Sequence, residues 1–207
     1  MNATLHKLLG DIEQFGENND AATDERGRRM LNITRGTGQF LAHVIGAMGA
    51  RDILEIGTSN AYSTLWLADA VAPNGGKVTT VEMAPLKLRM ARENVAASGL
   101  GQYIDQVDGD AGALLARSAD HAHDLVFLDS ERTEYTGWWP DIRRVLRPHG
   151  LLIVDNATSH AAEMAPLVRM VAAEAGFSTA LVPVGKGELV ASRVPDMARY
   201  WAGWRES

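Results

Sequence analysis

Between residues 52 and 156 the chain repeats one pattern: a short apolar run, a turn signal, then a helical stretch. The runs are DILEIG, KVTTVE, YIDQV, DLVFLD and LLIVDN, and the helical stretches after them span 61–71, 85–98, 111–119, 137–147 and 160–175. Pro85 stands where a helix can begin, because its missing N–H costs nothing in the first turn. Strands that are almost continuously apolar are buried on both faces, so the pattern predicts a parallel sheet covered by helices on each side. Its connections must be right-handed crossovers. The last two strand-like runs, STALVPV and ELVASRV, are separated only by GKG. So short a link cannot carry a crossover, and the two must pair antiparallel as a hairpin. The fold class expected is a doubly wound, Rossmann-like α/β sheet of seven strands, mostly parallel, closed by an antiparallel hairpin.

Three regions follow: N-terminal helices over 1–50, the α/β body over 51–194, and a tail over 195–207, within a single domain. In the first, Leu5, Leu8, Leu9, Ile12 and Phe15 recur at helical spacing until the polar run Glu17–Asp20 breaks them. Thr23-Asp24 can cap a short second helix ending near Leu31. Gly36 and Gly38 interrupt before a third helix carrying Phe40, Leu41, Val44, Ile45 and Met48. In the tail, Met197, Trp201 and Trp204 fall near one helical face, for packing on the body or for a dimer contact.

The 207 residues suffice for a real core, and their formal charge of −6 speaks against a nucleic-acid partner. With no cysteine, disulfides, iron–sulfur clusters, cysteine-ligated zinc and a thiol nucleophile are excluded. No run approaches the ~18 apolar residues of a membrane span, and the N-terminus lacks a signal-peptide plan. A cytoplasmic protein with no membrane partner is expected.

Ligands of an open parallel sheet bind outside the carboxyl ends of its strands. Each of those ends carries an acid here: Glu55, Glu82, Asp108 with Asp110, Asp129, and Asp155 followed by Asn156. One such carboxylate can be a helix cap. Acids at every end suit a ligand that is cationic, hydroxyl-rich or metal-bound, and they repel a pyrophosphate. The first strand runs into LEIGTSNAYST, where Gly57 stands without the further glycines of a dinucleotide fingerprint. Glu82 follows Gly57 by 25 residues and can accept both hydroxyls of a ribose. The helix N-terminus at Ser63 can hold a carboxylate. A nucleoside without a pyrophosphate, against an acidic edge, describes S-adenosylmethionine.

From about Leu31 to Val194, roughly four-fifths of the chain, the motifs resemble the class I S-adenosylmethionine-dependent O-methyltransferases of the catechol and caffeoyl-coenzyme A type. Leu31-Asn32-Ile33, with Gly38-Gln39-Phe40, is similar to the segment that reaches over the cofactor. LEIGTSNAYST resembles the glycine loop, with Tyr62-Ser63 as its Tyr-Ser pair. Glu82 matches the ribose-binding acid, and Gly109-Asp110-Ala111 the adenine-side loop. The resemblance implies a cofactor site at Asn32, Ile33, Glu55, Gly57, Thr58, Ser59, Ser63, Glu82, Met83, Asp110, Ala111 and Asp129. It further implies that Asp129, Asp155 and Asn156 ligate a divalent cation, Mg²⁺ or Ca²⁺, as an all-oxygen set suits. The alternative for Asp129 and Asp155 is helix capping.

Two departures stand out. Ala61 replaces a loop glycine, and Arg132 falls where the family commonly has a lysine acting as general base. An arginine does not give up its proton near neutral pH, so Arg132 orients an anionic substrate instead or leaves the base elsewhere. Glu131, Glu134 and His160 are the candidate proton acceptors; His160 also fits as the start of the next helix. The catalytic residues expected are Asp129, Arg132 and His160. Tyr135, Trp138 and Trp139 can wall an aromatic acceptor pocket or belong to the core. Lys186 and Glu188 border the pocket or serve the hairpin turn. The function expected is methyl transfer to a hydroxyl of a small, vicinal-diol aromatic acceptor, by a homodimer. The rivals are a metal-independent methyltransferase, a non-catalytic cofactor-binding protein and a dehydrogenase.

Overall fold

A computed structural model describes residues 1–194; the aromatic tail expected over 195–207 lies outside them. Five strands run parallel: β1 (Asp52–Ile56), β2 (Lys77–Glu82), β3 (Ile104–Asp108), β4 (His123–Leu128) and β5 (Leu146–Val154). β6 (Phe177–Val182) and β7 (Glu188–Arg193) form the antiparallel hairpin, and β7 pairs antiparallel with β5. The order across the sheet is β3-β2-β1-β4-β5-β7-β6. The chain therefore reverses its winding between β1 and β4, which opens a crevice at their carboxyl ends.

Helices α1 (Ala3–Ala22), α2 (Arg35–Met48), α3 (Tyr62–Val71), α4 (Pro85–Ser98), α5 (Ala111–Arg117), α6 (Tyr135–Val145) and α7 (Ala161–Ala173) cover the sheet. Successive strand residues face opposite layers. Leu54 and Ile56 pack with Trp139, Ile142 and Leu167. Ile53 packs on the other side with Leu9, Leu41, Ile45 and Leu65.

The N-terminal region departs from expectation. α1 continues through Glu17–Asp20, because a polar run without Gly or Pro in its middle does not break a helix already capped by Asn2 and seated on Leu5, Leu9, Ile12 and Gly16. Phe15 lies off that stripe and is 46% exposed. The expected second helix is a single 3-10 turn, Arg26–Arg28. The reason is local competition: the Asp20 carboxylate takes the N–H groups of Met30 and Leu31. α2 begins at Arg35, capped by Thr34, and passes through Gly36 and Gly38. A Cβ at Gly38 would lie 2.6 Å from the Trp66 ring, so this glycine seats α2 on α3 rather than ending a helix.

Candidate active site

A cavity of about 890 Å³ opens at the carboxyl ends of the parallel strands. Its floor is Ile56-Gly57 and Ser59, one wall Glu82-Met83 with Gly109–Ala111 and Trp138, and the other Asp129–Arg132 with Glu134, Asn156 and His160. Arg26, Gly27 and Arg29–Leu31 cover it from the N-terminal side. Gly57 has φ +105°, and a Cβ there would come within 2.1 Å of the Asp129 carbonyl oxygen. Only glycine lets β1 turn off beside β4 at this point.

The strand-end acids divide into four kinds of environment. Glu82 is fixed by backbone donors: Oε2 accepts from Ser59 N (3.0 Å), and Oε1 from Met83 N (3.0 Å) and Ala84 N (2.9 Å). Asp110 caps α5 through Ala113 N at 2.8 Å, so capping does account for this acid. Its neighbour Asp108 is exposed and pairs with Arg92.

Glu55 corrects the expectation of a cofactor contact. Strand alternation turns it away from the cavity toward α3, where it is fully buried. Ser63 and Thr64 on α3 and Thr80 on β2 all donate to it. Burial pushes its carboxyl up to about 7 against the pull of those hydroxyls. Ser63 is thereby spent on Glu55, and Thr58, itself buried, shares a hydrogen bond with Thr80 (2.6 Å). Neither Ser63 nor Thr58 reaches the cavity. Ile33 is core, and Asn32 Nδ2 donates to the Ile12 carbonyl (3.4 Å) beneath the covering segment, so this pair too stays off the cavity wall.

Asp129 and Asp155, at the ends of neighbouring β4 and β5, form the fourth environment. Neither caps a helix, since α6 and α7 have no side-chain cap bond at their N-termini. Asn156, held at φ +66°, donates Nδ2 to Asp155 Oδ2 (2.9 Å) and Asp129 Oδ1 (3.4 Å). Glu188, which turn chemistry would leave at a hairpin tip, is wholly buried behind them, with Oε1 accepting from Thr37 at 3.0 Å. Asp155 Oδ1 and Glu188 Oε2 are buried without a hydrogen-bond partner among the described residues. Burial first, and then the Asp155 charge, hold the carboxyls of Asp129 and Glu188 well above the usual range. No signal in the sequence separates Glu188 from an exposed turn residue, because its burial depends on α2 packing against the hairpin.

Toward the acceptor side, Arg132 lines the cavity and its Nε donates to Glu163 Oε2 at 2.8 Å. His160 lines it too, with Nδ1 3.0 Å from Ser159 Oγ. Arg26 pairs with Glu131 across the mouth (3.3 Å). Trp138 forms wall, whereas Trp139 is core, stacked edge-on against Phe177. Tyr135 is also core rather than pocket wall: it is 1% exposed and its hydroxyl accepts from Ser130 N at 2.7 Å.

A doubly wound sheet with an antiparallel closing hairpin, an acid-lined crevice and no pyrophosphate loop defines a class I methyltransferase. The O-methyltransferase family model matches residues 7–191, and the chain belongs to that family. A Mycobacterium avium protein named as an O-methyltransferase is 32% identical over 174 residues, covering 78% of each chain. A catechol O-methyltransferase of Mycobacterium tuberculosis is 33% identical over 136 residues, 66% of this chain and 61% of that one. The crystal structure of a Klebsiella pneumoniae protein described as an O-methyltransferase superposes with a TM-score of 0.77 at 26% identity, covering 94% of this chain and 91% of the other. The protein is an S-adenosylmethionine-dependent O-methyltransferase. Among the described residues no helix is long and apolar enough to cross a membrane.

Proposed function

We propose that this enzyme methylates one hydroxyl of a small aromatic acceptor bearing two adjacent hydroxyls, with a divalent cation held by Asp129, Asp155 and Asn156. The observation that carries the reading is the crowding of three carboxyl groups, with one buried oxygen on Asp155 and one on Glu188 that no donor from the rest of the described residues reaches, beside Asp129. Three acids packed this closely resist carrying charge together, and a cation that replaces their protons offsets the cost. Among the described residues no three His, Asp or Glu side chains are arranged to hold a metal by themselves. The reading thus rests on two carboxylates and the Asn156 amide as the third ligand. The amide now offers its nitrogen to both carboxylates, and a flip exchanges that nitrogen for its oxygen. When bound, such a cation lowers the pKa of a neighbouring hydroxyl and orients it.

The chain's own groups do the rest. Glu82 faces the cavity with its carboxylate fixed by three backbone N–H groups, in place to accept from ribose hydroxyls. Met83, Asp110, Ala111 and Trp138 line the same end, and Gly57 with Ser59 lies below the methionine portion. The acceptor lies between Asp129 and the wall of Arg132 and His160. Arg132 orients the acceptor. His160 takes the hydroxyl proton, with Glu131 and Glu134 the other acceptors on that wall. Because the sulfonium leaves as a neutral thioether, positioning supplies much of the acceleration.

Methyl transfer to a panel of vicinal diphenols and their singly hydroxylated analogues, with and without chelator, tests this. Turnover of the diphenols alone, lost on chelation and restored by Mg²⁺, is expected. Activity that survives both full chelation and Asp155→Ala contradicts the metal reading.

A further inference from the structure

The segment that covers the cavity is joined to its floor by an unbroken chain of hydrogen bonds that begins outside the site. Asp20, in the last turn of α1, accepts from Met30 N at 2.7 Å through Oδ1 and from Leu31 N at 2.8 Å through Oδ2. The Met30 carbonyl in turn accepts from Ser59 Oγ (2.8 Å), and Ser59 N donates to Glu82 Oε2 (3.0 Å). Asn19 seconds the contact, its Nδ2 donating to the Arg28 carbonyl and to Asp20 Oδ1, each at 2.9 Å. Two of the linked residues are not glycine yet sit in the left-handed region, Leu31 at φ +53° and Ser59 at φ +47°. Such backbone persists only where surrounding contacts hold it, and here those contacts are the Asp20 and Met30 bonds.

We infer that Asp20 is a positioning residue for the cofactor: by clasping the N–H groups of Met30 and Leu31 it sets the covering segment over the ribose end of the cavity. The inference rests on the reading of this end as the S-adenosylmethionine site. The charge state is the right one for a clasp. Burial raises the Asp20 carboxyl, but the Asn19 side chain and the two backbone donors outweigh it and leave the group below its ordinary value. Asp20 touches neither the cavity nor Asp129, so its effect must pass through the covering segment.

The test uses Asp20→Ala and Asp20→Asn in the full chain. The asparagine keeps the size but opposes an amide N–H to one of the two backbone donors. Titration calorimetry with S-adenosylhomocysteine reads affinity. Limited trypsin cleavage reads the segment directly, because Arg26 and Arg28 are exposed within it. On the inference, the Kd for S-adenosylhomocysteine rises on the order of tenfold, less for Asn than for Ala. KM for S-adenosylmethionine rises with it while kcat at saturating cofactor is kept. Cleavage at Arg26 and Arg28 quickens, and ligand protects the wild type better than the variants. If Asp20→Ala does not fold, Asp20→Asn decides. A wild type that binds, with the Asn variant unchanged in Kd and cleavage rate, overturns the inference alone. A variant that loses cofactor and acceptor affinity equally, in step with its melting temperature, also overturns it. A wild type that binds no S-adenosylhomocysteine overturns the cofactor reading first.

Discussion

Glu55 and Asp155 are both buried acids at the carboxyl ends of strands in one sheet, 0% and 2% exposed, and they have opposite surroundings. Glu55 is enclosed by three hydroxyl donors on α3 and β2. Asp155 has one amide donor, an oxygen with no partner, and two further acids close by. Burial is the same; the supply of donors is not. A buried carboxylate whose lone pairs are already satisfied is a structural strut, whereas one left short of donors beside other acids is the one our proposal gives to a cation.

The contrast breaks most sharply on substitution. Asp155→Asn should lower kcat by on the order of 10³-fold, the scale of a lost electrostatic stabiliser. Without added cation it should leave the melting temperature unchanged or higher, because it removes a charge facing Asp129 and Glu188. Glu55→Ala should do the reverse. Three buried hydroxyls lose their acceptor, and about 2–4 kcal/mol of unfolding free energy goes with it, measurable by urea denaturation. Activity per folded molecule should persist.

The pH dependence sharpens the comparison further. The Glu55 carboxyl is raised from 4.5 to about 7 in the folded protein, so the fold holds this proton more tightly than the unfolded chain does. Its contribution to stability is full below about pH 4.5 and is lost as pH rises toward 7, at a slope of about 1.4 kcal/mol per pH unit. Glu55→Gln should flatten that part of the profile, read as melting temperature against pH. Asp129 and Glu188 are raised in the same sense, so a divalent cation should stabilise the wild type more at pH 8 than at pH 6. It should stabilise Asp155→Asn at neither pH. The smallest effect belongs to the open side: Arg132→Ala should raise the acceptor KM about tenfold and leave KM for S-adenosylmethionine alone.

The features readable in advance were those written in local pattern. Apolar runs alternating with helical stretches specify the parallel sheet, and the three residues between STALVPV and ELVASRV specify the hairpin that β6 and β7 form. Acids at strand ends mark the crevice edge. What escaped depends on register and on packing between distant segments. Glu55 is caged because it lies opposite Thr80 in the β1–β2 register and under the first turn of α3, a pairing that no spacing along the chain specifies. Alternation along β1 does place Glu55 on the same layer as Ile53, and that signal was available. Glu188 is buried and bonded to Thr37, 151 residues away. The polar run ending at Asp20 looks like a helix breaker because its acid serves a segment ten residues further on, Met30 and Leu31, rather than α1 itself.

The difference between the two buried acids is tested most directly by titrating Mn²⁺ into wild type, Glu55→Gln and Asp155→Asn, followed by electron paramagnetic resonance with S-adenosylhomocysteine present. One bound ion per chain is expected for the wild type and for Glu55→Gln, and none for Asp155→Asn. A wild type that binds no ion, or an Asp155→Asn variant that binds as the wild type does, would contradict the account.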